Sequence, residues 1–361
     1  MFLAWNEITH SKLRYSLIVG VMFLIAYLVF FLTALAYGLS QDYRMAIDKW
    51  EADGIVLSEE SNINLNMSML PISAMDDVQA EEKAAFAQTA GIIKRETGSK
   101  EKMDVSFFGI NSDEFLMPEL VEGRAFDTAG EAVADISLKE EGNVALNETI
   151  QLAGSEKEVK IVGFTENARY TVAPVLYVSI DDFQEIRFEQ SVPSDQARIN
   201  AIIVRGKGND VDQVKSDSKD LSVFSIQKFV SELPGYNAQV LTFSFMIGFL
   251  IVIAAIVIGI FIYVLTLQKT SIFGVMKAQG ISSRYISSSV IIQTFLLAVI
   301  GVSVGLLSTF GTSFVLPEAV PFKINWLFFG GITLSMLVVA VLGALFSVRT
   351  IVKVDPLKAI G

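Results

Sequence analysis

Histidine and cysteine, which supply most nucleophilic and zinc-binding side chains, are nearly absent from this chain of 361 residues. It has no cysteine and one histidine, His10. Disulfides, cysteine nucleophiles, Ser-His-Asp triads and histidine-based zinc sites are therefore excluded. Carboxylate pairs such as Asp76/Asp77 and Glu140/Glu141 are frequent, but neighbours in sequence do not face each other on a helix. We expect no catalytic site in this chain.

Nucleotide chemistry also lacks its usual motif. A phosphate-binding loop needs G-x-x-x-x-G-K-[ST], and the nearest fragment, Gly206-Lys207-Gly208, lacks the hydroxyl and the preceding glycine. If this protein performs active transport, its energy must come from a partner or an ion gradient. Ion-coupled carriers usually have charged residues inside their spans. The spans described next have none, which favours a partner.

Four apolar blocks dominate a composition that is 52% hydrophobic, and they cover residues 16–39, 239–267, 289–316 and 326–348. None contains Lys, Arg, Asp, Glu or His. Each exceeds the roughly 20 residues that a helix needs to cross a bilayer. The sequence therefore predicts four transmembrane helices. In the third, the Gly301-x-x-x-Gly305 spacing lets a neighbouring helix approach closely.

Lysine and arginine predict the orientation of these helices, because they concentrate on the cytoplasmic side. They occur in the flank 1–15, in the loop 268–288 and in the tail 349–361, whereas the short loop 317–325 has a single lysine. We therefore expect a multi-pass plasma-membrane protein whose termini are both cytoplasmic. Residues 40–238 and the loop 317–325 would then be extracytoplasmic.

The segment 40–238 is large enough for a domain of its own. It holds 19 basic and 36 acidic residues, a net charge of −17, which is typical of a solvated surface and argues against nucleic-acid binding. Apolar spacing and caps predict helices over Glu82–Lys94, Ser179–Glu189 and part of 208–233. Strands are predicted at Gly54–Leu57, Val105–Ile110, Glu158–Phe164, Val175–Val178 and Ile199–Arg205. The predicted fold is an α-helical membrane protein with four transmembrane helices plus an α+β extracytoplasmic domain inserted between helices 1 and 2.

The loop 268–288 and the tail carry the most specific motifs. The loop reads Lys269-Thr-Ser-Ile-Phe-Gly-Val-Met-Lys277-Ala-Gln-Gly280, and the tail includes Arg349 and Asp355-Pro356. Both resemble segments of the FtsX/MacB-type permeases of ABC transporters, whose layout of spans and outer domain is also similar. In these permeases a Glu or Asp often precedes the glycine-containing helix, and this chain has Ser271-Ile272 at that place.

This resemblance implies a homodimer bound to two copies of a separate cytoplasmic ATPase, which would bind the ATP. The chain itself would be a non-enzymatic permease working by mechanotransmission, in which helix movements pass to the outer domain. Residues from Phe273 to Gly280 would form a short helix that couples to the ATPase. The candidate coupling residues are Phe273, Gly274, Met276, Lys277 and Gly280.

The stretches from Met1 to Tyr15 and from Phe30 to Leu39 resemble the haem-export permeases of Gram-positive bacteria, which implies haem as the substrate. Tyrosine or methionine is the available ligand chemistry for haem iron on the outer side. By resemblance, Tyr170 and Tyr236 are the first candidate ligands, and no other metal site is expected. Tyr43 is one of several further tyrosines near the outer face. The remaining candidate haem-contact residues are Tyr27, Phe30, Phe31, Met246 and Glu232.

Two other functions remain open from the sequence. One is efflux of a hydrophobic drug or an antimicrobial peptide, since an acidic outer domain attracts cationic peptides. The other is regulation of a cell-wall hydrolase, the role of FtsX. Release of lipoproteins, known among related permeases, fits the haem-type resemblance less well.

Overall fold

The computed structural model describes residues 12–95, 102–206, 211–317 and 319–352. Its contacts divide the chain into two compact units. We call Met1–Gly38 with Val240–Gly361 the helical unit, and Leu39–Gln239 the sheet unit. Residues 1–11 and 353–361, which carry parts of the two resemblances, lie outside the described residues.

Within these described ranges, four helices are long and apolar enough to span a membrane: Tyr15–Asp48, Tyr236–Gln268, Ser283–Ser313 and Trp326–Phe346. A domain of strands and short helices lies between the first and the second in sequence. The predicted fold class is therefore confirmed. In chain order the helices are α1 Lys12–Asp48, α2 Ser137–Glu140, α3 Ile180–Phe188, α4 Ile226–Ser231, α5 Tyr236–Gln268, α6 Thr270–Ala278, α7 Ser283–Ser313 and α8 Trp326–Val352.

The strands all belong to the sheet unit. They are β1 Gly54–Ser58, β2 Leu70–Pro71, β3 Val78–Gln79, β4 Glu82–Arg95, β5 Lys102–Ile110, β6 Glu122–Gly123, β7 Glu131–Asp135, β8 Thr149–Leu152, β9 Glu158–Thr165, β10 Arg169–Tyr170, β11 Ala173–Ser179, β12 Arg198–Ile199, β13 Ala201–Arg205, β14 Lys215–Ser216 and β15 Leu221–Ser225. The five predicted strands are all present, the last of them interrupted at Asn200. The predicted helix at Ser179–Glu189 is α3, capped by Ser179, whose hydroxyl accepts the Asp182 N–H at 3.0 Å.

Six strands of the sheet unit close into a ring. β4 pairs with β5, β5 with β11, β11 with β7, β7 with β9, β9 with β8, and β8 returns to β4. Alternate residues of a strand enter different cores, so that Phe107 lies in one buried cluster and its neighbour Phe108 in another. β13, β1 and β15 continue the sheet from the first half of β4.

The helix predicted over Glu82–Lys94 is wrong, because these residues form most of β4. Every residue from Ala84 to Thr89 is buried, and Phe86 and Ala85 belong to different buried clusters. A strand covered on both faces loses the polar alternation that normally identifies it. The alanine-rich run therefore fitted a helical pattern.

The helix predicted within 208–233 is α4, which is confined to Ile226–Ser231. Residues 211–225 form a 3-10 turn, Val211–Gln213, and the strands β14 and β15, and α4 begins at Ile226. Ser225 ends β15 and caps α4 by accepting the Lys228 N–H at 3.3 Å. Residues 208–210 lie outside the described residues.

In the helical unit, α1 presents a buried stripe that includes Tyr15, Met22, Ala26 and Phe30. α7 meets this stripe through its two spaced glycines. A Cβ atom on Gly301 would lie 2.6 Å from Met22 Cβ, and one on Gly305 would lie 2.7 Å from Ala26 Cβ. The glycine spacing thus serves close packing of α7 on α1.

Candidate functional site

α6 is a nine-residue helix that ends in a hydrogen-bonded glycine turn. Gly280 has φ +89°, and its N–H donates to Lys277 O at 3.0 Å. The Ile281 N–H donates to Met276 O, also at 3.0 Å. This pair of bonds is the Schellman arrangement, which needs a left-handed residue and therefore favours glycine. The predicted helix end at Gly280 coincides with this turn.

Phe273 holds α6 against its own unit. Its side chain is 3% exposed and packs with Ile286 of α7, while Met276, Ile281, Val290 and Val348 surround the pair. Gly274 is also buried, and Met276 and Lys277 are partly buried. By contrast, Ile272 and Val275 are 53% and 44% exposed. Ile272 and Val275 therefore form the exposed apolar surface of α6, whereas Met276 packs beside Phe273.

Three of the candidate haem contacts lie on α1 of the helical unit. The Tyr27 hydroxyl is 3.0 Å from Thr312 Oγ1, and the Tyr27 ring stacks on Phe31 with centroids 5.9 Å apart. Phe30 is fully buried against Phe329. Tyr27 and Phe31 are partly exposed, so they are the two whose rings a flat ligand could reach.

A fourth candidate, Met246, lies on α5 and is 42% exposed. It belongs to a long series of exposed apolar residues on that helix, among them Phe245 and Phe249. A flexible thioether on such a surface can adapt to a ligand, a lipid or another helix.

Tyr236, the first residue of α5, is partly exposed in the sheet unit. Its ring lies 5.9 Å from that of Tyr43, centroid to centroid. Gly235 precedes it with φ +84°, and the exposed Glu232 ends α4. The structure therefore brings together Tyr236 and Tyr43, a residue that the sequence offered only as one of several tyrosines.

Tyr170 is placed differently. Its ring is 3% exposed and packs edge-on against Phe108 at 5.3 Å between centroids. Burial raises the pKa of the Tyr170 phenol above its ordinary value, which disfavours the phenolate. Direct ligation of iron by Tyr170 would require its side chain to leave this core.

Comparison with known proteins decides the family. Residues 244–356 match the family model described as FtsX-like permease C-terminal. This part of the chain is an FtsX-like permease domain. It contains α6 and its glycine turn. The predicted resemblance of the loop 268–288 to FtsX-type permeases is therefore confirmed.

Full-length relatives of the permease have the same extent. A Staphylococcus epidermidis protein with the provisional name hemin transport system permease protein HrtB is 27% identical over 361 residues, covering 100% of this chain and 99% of that protein. A Staphylococcus haemolyticus protein of the same name is 25% identical over 362 residues with equal coverage. The solved periplasmic region of MacB from Actinobacillus actinomycetemcomitans covers 51% of this chain and 94% of its own, at 15% identity and a TM-score of 0.35. The chain is an ABC transporter permease and a membrane protein.

Sequence reasoning missed one strained turn in the permease. Thr171 and Val172, between β10 and β11, have φ values of +47° and +76°. Such values are rare for β-branched residues. The Thr171 and Val172 N–H groups donate to the carbonyls of Tyr43 and Asp42 at 3.1 and 3.0 Å. The turn after Tyr170 is thus hydrogen-bonded to Asp42 and to Tyr43, whose ring lies beside Tyr236. Neither Thr171 nor Val172 is a residue typical of turns, so the sequence did not predict it.

Proposed function

We propose that this permease exports haem as a homodimer driven by two copies of a separate cytoplasmic ABC ATPase. The observation that carries the proposal is the similarity to hemin transport permeases along the whole chain, 27% identity over 361 residues. It extends through both units and is not limited to the domain shared by all FtsX-like permeases. In this proposal both termini and α6 are cytoplasmic, and residues 40–238 are extracytoplasmic.

Coupling to the ATPase is assigned to α6. Phe273 and the Gly280 turn hold the helix in place, and Ile272 and Val275 form the exposed apolar surface that enters a groove of the ATPase. ATP binding would close the ATPase dimer and move the transmembrane helices. The helices would pass this movement to the sheet unit, so that haem leaves the membrane without crossing an aqueous pore.

Tyr236 is the residue that we assign first to haem iron. It is partly exposed, and Tyr43 lies beside it as a second ring. Tyr27, Phe31 and Met246 would contact the porphyrin with apolar surface, and Phe30 would support them from the buried side. Tyr170 remains a candidate only through rearrangement, because its phenol is buried.

The test is a haemin titration of the purified full-length permease, followed by the Soret absorbance. We expect a saturable shift of the Soret band. Tyr236→Phe, which removes only the phenol oxygen, should weaken the haemin affinity about tenfold. Tyr170→Phe should retain the shift, and so should the control Tyr285→Phe, which alters an exposed tyrosine on α7.

Two outcomes would contradict the proposal. A missing saturable shift would remove haem as the cargo and favour peptide efflux or hydrolase control. Equal titrations in Tyr236→Phe and Tyr285→Phe would remove Tyr236 as the ligand. Haem efflux from proteoliposomes that contain the permease with and without its ATPase then separates export from mere binding.

A further inference from the structure

A cavity of about 280 Å³ lies within the sheet unit, apart from every residue assigned above to haem or to the ATPase. Residues from the middle of β4, the end of α3 and the start of β12 line it. Phe183 and Phe188 of α3 form its aromatic wall. Its polar lining residues are Arg187, Arg198, Gln88, Asn66, Thr89 and Asn200.

The two arginines are exceptional among the arginines of this unit. The other five, Arg44, Arg95, Arg124, Arg169 and Arg205, all pair with carboxylates. Arg187 and Arg198 pair with no carboxylate in the described part of the chain, although the segment around them has a net charge of −17. Two guanidinium groups without an acidic partner, at one cavity, form a site for an anion.

Arg198 is held in position before any ligand binds. The side chain of Gln184, which is 2% exposed, accepts the Arg198 N–H at 3.1 Å and donates to the Arg198 carbonyl at 2.8 Å. The guanidinium lies 5.9 Å from the centre of the Phe188 ring. The backbone of Arg198 is therefore fixed before any ligand binds, while its exposed guanidinium, whose Nη1 lies 3.7 Å from Met69 Sδ, is free to turn towards a ligand.

Gln88 provides the second polar feature. It is 5% exposed, its N–H donates to Asn200 Oδ1 at 2.7 Å, and its side-chain Nε2 donates to Ser106 Oγ at 3.0 Å. Its Oε1 has no hydrogen-bond partner in the described structure. A buried amide oxygen without a partner is unusual. Because Gln88 lines the cavity, a rotation of its amide towards the cavity would make this oxygen an acceptor for a ligand N–H.

We propose that this cavity binds a carboxylate that is joined to an apolar side chain and to an N–H. This is the chemistry of the last residue of a peptide or of an N-acylated amino acid. The carboxylate would pair with Arg187 and Arg198, the side chain would lie against Phe183 and Phe188, and the N–H would donate to Gln88 Oε1. Capture of a terminal carboxylate is a known mode of peptide recognition.

The size of the cavity favours one residue over a larger ligand. Pockets for drug-sized molecules occupy roughly 300–1,000 Å³, and about 280 Å³ lies just below that range. None of its lining residues is among those assigned to haem, so the site is separate from the proposed haem site. With residues 40–238 extracytoplasmic, as proposed above, it would give the permease an extracytoplasmic peptide or amino-acid ligand.

The test is calorimetric titration of the full-length permease in detergent with N-acetyl-L-phenylalanine, corrected by a titration of empty micelles. We expect saturable binding that is about tenfold weaker for N-acetyl-L-phenylalaninamide, which lacks the carboxylate. Arg187→Gln and Arg198→Gln should each weaken binding of the acid about fivefold. Lys219→Gln removes one positive charge at an exposed position of the same unit and serves as the matched control.

A pentapeptide that ends in phenylalanine distinguishes the two sources of this chemistry. Binding as tight as that of the acetylated amino acid assigns the site to peptide C-termini, and failure of the peptide assigns it to small N-acylated acids. Absence of saturation, equal binding of acid and amide, or equal effects of the arginine and Lys219 variants would overturn the proposal. Haemin titration of both arginine variants should be unchanged, so this site and the haem proposal can fail separately.

Discussion

Replacing Gly280 by valine tests whether the glycine turn at the end of α6 is needed for coupling between the permease and its ATPase. A Cβ atom at this position would meet nothing within 4 Å, so steric crowding inside the permease is not the issue. The backbone is the issue, because φ is +89°. An L-residue pays roughly 1–2 kcal/mol for a left-handed conformation, and a β-branched residue lies at the upper end.

The helix end could instead unwind to avoid that strain. It would then lose the two turn hydrogen bonds, to Lys277 O and Met276 O, each of which contributes about 0.5–1.5 kcal/mol. The two routes cost similar amounts, so Gly280→Val should destabilise the helix end by about 1–2 kcal/mol. This corresponds to roughly a 5- to 30-fold smaller population of the intact turn.

Asparagine is the matched replacement, since it fills the same open space but tolerates the left-handed region. We expect Gly280→Asn to retain most of the stimulation of ATP hydrolysis that permease and ATPase show together in proteoliposomes. Gly280→Val should lose most of it while the permease still inserts in the membrane. Normal coupling in Gly280→Val would refute the reasoning. Equal damage by both variants would also refute it, because side-chain bulk and not backbone conformation would then be decisive.

Four further predictions concern packing, anchoring, charge and orientation. Gly305→Ala should lower the melting temperature in detergent, since its Cβ would meet the Tyr27 backbone N at 2.9 Å and overpacking costs about 1–3 kcal/mol; Gly311→Ala, in open space on the same helix, should not. Phe273→Ala should destabilise the permease alone by about 3 kcal/mol, whereas Ile272→Ala should weaken only binding of the ATPase, measured by co-purification. Arg124 donates a hydrogen bond to Glu131 and lowers the pKa of that carboxyl to about 2. The folded pKa is below the unfolded one, so the stabilisation is present above about pH 4.5 and fades as the pH falls towards 2; Glu131→Gln should lower the melting temperature at pH 7 by more than at pH 3. Because the chain has no cysteine, an impermeant maleimide should label Glu156→Cys in intact cells and Gln279→Cys only after permeabilisation; the reverse pattern would invert the proposed orientation.

The spans were predictable because their signal is long and redundant. In a block such as 326–348 no single residue decides the interpretation, and the helix Trp326–Val352 follows from composition alone. β4 shows the opposite case. Its burial on both faces depends on helices far along the chain, such as α3 and α4, and no local pattern in Glu82–Lys94 indicates them.

The two tyrosines assigned to haem by resemblance show a similar limit. Tyr170 and Tyr236 have the same side chain, and both lie near polar and apolar neighbours in sequence. The structure separates them, because Phe108 and its cluster cover Tyr170 while Tyr236 begins a helix at a partly exposed position. Accessibility depends on the tertiary packing. Residue type therefore identified both tyrosines as candidates but could not show which of them is exposed.

α6 has, within nine residues, one feature that the local sequence predicts and one that depends on tertiary packing. Its end was predictable, since a glycine after an apolar run is a strong helix stop. Its orientation was not, because Ile272, Phe273, Val275 and Met276 leave no single apolar face in so short a helix. The packing of Phe273 against Ile286, Val290 and Val348 fixes which side turns inward. A surface for the ATPase must therefore be sought on Ile272 and Val275, and the loss of Phe273 should disturb that surface only by releasing the helix that carries it.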